Sequence, residues 1–108
     1  MSDENELLVV LCTAPNEDTA AGLAEGLVEA RLAACVNVVR GLKSYYRWQG
    51  KLETDSEVQL LIKTRAGRFE QLAAWIQANH PYDVPEIVAL PAERVSEAYL
   101  RWAIEDTS

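Results

Sequence analysis

The sequence predicts an α+β fold of the split βαβ kind, a four-stranded antiparallel sheet in the order 4-1-3-2 with helices on one face. Apolar periodicity runs strand, helix, strand, strand, helix, strand, helix, with no linker, repeat or low-complexity segment between. Two long strand-like tracts meet at Gly50 as a hairpin. A stiff joint, His80-Pro81-Tyr82-Asp83-Val84-Pro85-Glu86, separates the second helix from the last strand, because each proline fixes its own φ and pushes the residue before it toward extended geometry. One domain, 1–108, accounts for the chain, with residues 1–5 expected to be a flexible polar N-terminus.

Each element has its own signature. Leu7 to Cys12 is a continuous apolar run closed by Thr13-Ala14-Pro15, as in a central strand. Asn16 is placed to cap a helix, Glu17 and Asp18 suit its positive end, and Ala20, Leu23, Leu27 and Ala30 recur at helical spacing. Gly22 and Gly26, four apart in that helix, are assigned to close packing. Ala33 to Gln49 and Lys51 to Thr64 form the hairpin, with Val58, Leu60 and Ile62 alternating against Glu57, Gln59, Leu61 and Lys63. Phe69, Leu72, Ala73 and Ile76 stripe a second helix from Gly67 to Ala78. Glu86 to Leu90 is the last strand, and a helix from Val95 to Ile104 is appended.

Nearly half of the 108 residues are apolar, enough for one small core with a large surface relative to its volume. A net charge of -7 and the absence of a basic stripe argue against a phosphate-binding surface, so no nucleic acid is expected as partner. The start, Met-Ser-Asp-Glu-Asn, lacks the charged and apolar regions of a signal peptide, and no apolar run is long enough to span a bilayer; a soluble, cytoplasmic protein with no membrane partner is expected. Cys12 and Cys35 form neither a CxxC nor a zinc ribbon, and both read first as small buried apolar residues.

The hairpin is long for its domain. Arms of roughly 14 to 17 residues would reach on the order of 50 Å, against a radius of gyration of about 13 Å for a domain of this size. Half of it must overhang, carrying Tyr45, Tyr46 and Trp48. Either a bulge at Gly41 folds the arm back, or sister copies shelter it in a cyclic assembly that leaves no open edge.

Several segments closely resemble the CutA, or divalent-cation-tolerance, family: Leu11-Cys12-Thr13-Ala14-Pro15, Arg31-Leu32-Ala33-Ala34-Cys35-Val36-Asn37, Ser44-Tyr45-Tyr46-Arg47-Trp48-Gln49-Gly50-Lys51, Leu61-Ile62-Lys63-Thr64, the His80–Glu86 joint, and Tyr99-Leu100-Arg101-Trp102. The resemblance covers nearly the whole chain. It implies a ferredoxin-like protomer in a homotrimer, similar in architecture to the PII signalling proteins, and a role in tolerance of, and response to, divalent metal ions, copper above all.

In the 4-1-3-2 order the end of strand one lies beside the start of strand four, so Cys12 approaches the His80 joint. Cys12 and His80 are therefore the candidate metal ligands, a thiolate and an imidazole suiting copper and less well zinc, with Asp83 or Glu86 adding oxygen or orienting the ring. Some family members carry a second histidine where this chain has Asn79 and a cysteine where it has Trp75, so a closed site needs ligands from solvent or another subunit. Cys35 belongs at the opposite end of the sheet, too far for a disulfide with Cys12.

No catalytic motif, phosphate loop or organic-cofactor fingerprint is present, and the chain is not expected to be an enzyme. An enzyme would have to use His80, Asp83, Glu86, Lys63 or the tyrosines. Glu57 and Lys63, on one side of strand three, are explained by a cross-strand or intersubunit ion pair. By analogy with PII alone, a small anionic ligand in an intersubunit cleft is the alternative. The last helix could meet an unidentified protein partner through Glu97, Tyr99, Trp102 and Glu105, although Tyr99 and Trp102 read first as a stripe for docking onto the trimer.

Overall fold

The computed structural model describes residues 3–108, and their elements follow the expected order. They are β1 (Leu7–Ala14), α1 (Glu17–Glu29), β2 (Cys35–Trp48), β3 (Lys51–Arg65), a short 3-10 turn (Ala66–Arg68), α2 (Phe69–Asn79), β4 (Val88–Pro91) and α3 (Glu97–Asp106). The sheet is antiparallel in the order β2-β3-β1-β4, the predicted ferredoxin-like arrangement. Of the terminus expected to be flexible, residues 1 and 2 lie outside the described residues. Asp3–Asn5 form a turn in which the Glu4 carbonyl accepts the Gly67 N–H at 2.9 Å.

Alternation along the strands sorts the two faces. Val10, Cys12, Leu60 and Ile62 are fully buried on the face covered by α1, through Leu23 and Leu27, and by α2, through Leu72 and Ile76. Each large aliphatic side chain taken fully from water there contributes about 1.5–3 kcal/mol. Among the described residues the opposite face is covered only at one end, where Ala103 and Leu100 of α3 pack on Leu7 and Ala34. The rest of it is bare: Val39, Val88 and Leu90 are 48, 47 and 47 % exposed.

The caps follow the sequence. The Asn16 side-chain oxygen accepts the Thr19 N–H at 2.8 Å, and Ser96 caps α3. At the far end of α1 the Arg31 and Leu32 N–H groups bond back to Val28 and Leu27, a Schellman ending that places Arg31 at φ 61°, where glycine is usual. The two helix glycines differ. A Cβ on Gly26 would lie 2.5 Å from the Trp75 ring, so close approach demands glycine there, whereas Gly22 has no neighbour within 4 Å and the packing role assigned to it is withdrawn.

The hairpin explains the 44 Å long dimension of a molecule only 28 and 24 Å across. β1 pairs with β3 only from Arg65 back to Val58, so from Glu57 outward the hairpin has two strands and no third. The register shifts between Val39 and Leu42, where Arg40 and Gly41, the latter at φ 83°, form a bulge opposite Val58. Overhang and bulge therefore coexist. The tip is a two-residue turn with Gln49 and Gly50 both at positive φ.

Candidate functional site

Where β1 ends, the outer hairpin and the His80–Glu86 joint face one another across an open cleft of about 650 Å³. The hairpin supplies Ser44, Tyr45, Tyr46, Trp48 and Glu57; the joint supplies Pro81, Tyr82, Asp83, Val84 and Glu86; Thr13 lies between them. The Tyr82 hydroxyl donates to Glu57 at 2.6 Å, tying joint to hairpin, and the Tyr46 hydroxyl donates to Asp55. Burial first, then the bond to Glu57, pushes the Tyr82 phenol well above its usual range; the bond to Asp55 pushes Tyr46 up to about 12.

Cys12 and His80 meet behind this wall, at the Thr13 carbonyl. His80 ends α2 in the extended geometry that Pro81 requires, with φ -88° and ψ 141°, and its N–H bonds the Ile76 carbonyl. Its ring, 8 % exposed, reaches across to β1: Nε2 lies 2.7 Å from the Thr13 oxygen, and Nδ1 accepts the Tyr82 N–H at 3.1 Å. Because Nδ1 is an acceptor, Nε2 carries the proton and donates, so neither nitrogen has a lone pair to offer. The Cys12 thiol, wholly buried, lies 3.7 Å from the same oxygen. Burial first, then the Glu86 and Glu57 carboxylates, push it up to about 12, which keeps it a protonated thiol at neutral pH.

These two residues do not fit a preformed metal centre, which needs a thiolate and a free imidazole nitrogen. Their geometry is that of a latch holding the joint against β1. Among the described residues no three His, Cys, Asp or Glu side chains converge to hold a metal ion.

The remaining candidates lie apart. Cys35, half-buried at the start of β2, is a free thiol across from Lys63, away from Cys12, which pairs with Leu60. Lys63 donates to Asn37 and Glu57 accepts from Tyr82, so the ion pair assigned to them is absent within the described chain. Tyr99 and Trp102 are 36 and 41 % exposed, their rings 5.4 Å apart; α3 packs on its own sheet through Leu100, Ala103 and the buried Thr107, which leaves the aromatic pair facing outward. Thr107 bonds the Ala103 carbonyl, and Arg65 and Arg68 donate to the Thr107 oxygens.

Among the described residues no helix is long and apolar enough to cross a membrane. Residues 8–106 match the family described as CutA1 divalent ion tolerance protein. A divalent-cation tolerance protein CutA of Thermus thermophilus is 52 % identical over 99 residues, covering 92 % of this chain and 96 % of the relative. The chloroplastic CutA of Arabidopsis thaliana is 47 % identical over 93 % of this chain, which spans 55 % of that longer relative. The solved structure of the divalent cation tolerance protein from Thermus thermophilus superposes with a TM-score of 0.92 at 51 % identity, covering 94 % of this chain and 99 % of its own. Fold and sequence agree, and the chain belongs to the CutA1 divalent ion tolerance family.

Proposed function

We propose that this chain serves divalent-cation tolerance in the cytoplasm as a homotrimer, with a copper-responsive cleft between hairpin and joint. The carrying observation is the bare outer architecture: Val39, Val88 and Leu90 stand about half exposed on a sheet whose other face is packed, and Leu52 near the hairpin tip is 77 % exposed. A closed ring of copies covers these groups and leaves no strand edge to propagate. The names of the relatives supply the divalent-cation role.

Copper heads the divalent affinity order at nitrogen and oxygen sites, with zinc behind it. In this reading one carboxylate among Glu57, Asp83 and Glu86 reaches the ion from each copy, and water and sister copies complete its shell, while Cys12 and His80 hold the wall behind. Two unpaired thiols suit a reducing compartment. The alternative, a small anionic ligand in an intersubunit cleft, would need its cations from a sister copy, because no Lys, Arg or His is among the described residues lining the cleft of one copy.

Two measurements test the proposal. Light scattering at micromolar concentration should give the mass of three 12.0 kDa copies, and calorimetric titration should show copper binding that a paired Glu57→Gln and Glu86→Gln variant weakens. A single-copy mass, or no heat with copper, would overturn it.

A further inference from the structure

Lys63 and Glu57 stand on the sheet face that α1 and α2 leave bare, and among the described residues neither has an opposite charge beside it. The register sets the rows of that face. Cys35, Lys63, Val9 and Leu90 lie side by side across the sheet, then Asn37, Leu61, Leu11 and Val88, with Glu57 two rows further out. Lys63 and Glu57 are thus separated by roughly 20 Å of β3, more than the two side chains span, and do not pair within one copy. Lys63 donates to Asn37, and Glu57 accepts from Tyr82. Sister copies that cover this face take water away from Lys63, and an ammonium buried among aliphatic groups is strongly unfavourable unless a carboxylate meets it. The cleft has the reverse deficit: Glu57, Asp83 and Glu86 line it, with no cation of the same copy among its described lining. Other basic groups are placed elsewhere. Arg65 donates to Thr107; Lys43 and Arg47, opposite Ser56 and Leu52, point to the other face of the hairpin; Lys51 sits at its exposed turn.

We infer that Lys63 of a sister copy sits against Glu57 in the cleft and holds the ring closed, and that this contact and a copper ion compete for the one carboxylate. The Tyr82 bond occupies one Glu57 oxygen and leaves the other for the ammonium. The inference rests on the ring of copies proposed above and, for the competition, on the copper reading.

The test is a double-mutant cycle on assembly, read by light scattering over a dilution series in moderate urea, with Lys63→Met, Glu57→Gln and both together. Gln keeps an acceptor for the Tyr82 hydroxyl. Each single change should raise the concentration at which the three-copy mass is half lost by at least about tenfold, and the two together should do no more than the larger of them. Lys51→Met, at the exposed turn, should leave it within about twofold. Additive effects in the cycle, or an equal loss from Lys51→Met, would overturn the inference while the wild-type mass upholds the ring; a single-copy mass for the wild type sinks ring and inference together. Copper titration of the assembled Lys63→Met protein should show binding about three- to thirtyfold tighter than wild type, because a competing cation is gone. Unchanged or weaker binding would overturn the competition. Absence of copper heat in both proteins sinks the copper reading and the competition, while the contact stands or falls on the cycle.

Discussion

Cys12 should be one of the least reactive thiols a protein of this size can carry, and the size of the effect follows from its surroundings. Its pKa is about 12 against an ordinary 9.0, so at pH 8 the thiolate fraction falls from about 0.1 to about 10⁻⁴, a thousandfold. The more basic thiolate is intrinsically the better nucleophile, which returns about 20-fold in disulfide exchange and leaves about 50-fold net. The complete burial of the side chain adds to that, because reagent reaches it only when the joint opens. The assay uses a Cys35→Ser variant, so that Cys12 is the single thiol, and follows exchange with an aromatic disulfide at pH 8 in native buffer and in strong denaturant. Native exchange should be at least 50-fold slower. Rates within a few-fold of each other would refute both the protonated thiol and the latch, and would return Cys12 to the list of available metal ligands.

Other expectations follow from the same geometry. Stability should decline as pH rises from about 9 toward 12, because over that window the folded Cys12 keeps a proton that the unfolded chain has released; Cys12→Ala should remove that part of the slope in urea titrations. Gly26→Ala should destabilise by roughly 1–3 kcal/mol through its collision with Trp75, whereas Gly22→Ala, with open space around it, should stabilise by up to about 1 kcal/mol; equal effects would show that helix propensity alone governs both. Arg31→Gly should add about 1 kcal/mol by relieving the left-handed residue after α1, read from the denaturation midpoint. His80→Ala removes a buried ring and strands the Thr13 carbonyl and the Tyr82 N–H; it should cost roughly 2–4 kcal/mol and raise the exchange rate of Cys12.

Much of the fold was legible because its signals are periodic. Two-residue alternation from Val58 to Ile62 and the three-to-four spacing of Leu72 and Ile76 each specify a buried face, and the register places those residues there. The overhang was legible from length alone, since eight residues of β1 cannot cover fifteen of β3. Topology also brought Cys12 to the His80 joint, as the strand order required. What the pair does there was not legible. The choice between a ligand and a latch turns on one ring rotamer and one carbonyl, set by how Pro81 aims His80 at the end of β1. The cleft escaped for a related reason: Tyr82 and Glu57 are 25 positions apart and belong to no common pattern, and they meet only because the hairpin outruns β1. On α3 the small Ala103 and Thr107 fit closest to the body and carry no signal of their own in the sequence, whereas the conspicuous aromatic pair stays outward.

The most direct measurement is a crystal of this protein soaked with copper and recorded at the copper absorption edge. The account predicts anomalous density in the cleft beside Glu57, Asp83 or Glu86, with the His80 ring still bonded to the Thr13 carbonyl. Density on the Cys12 sulfur and a His80 nitrogen, with that bond broken, would contradict it.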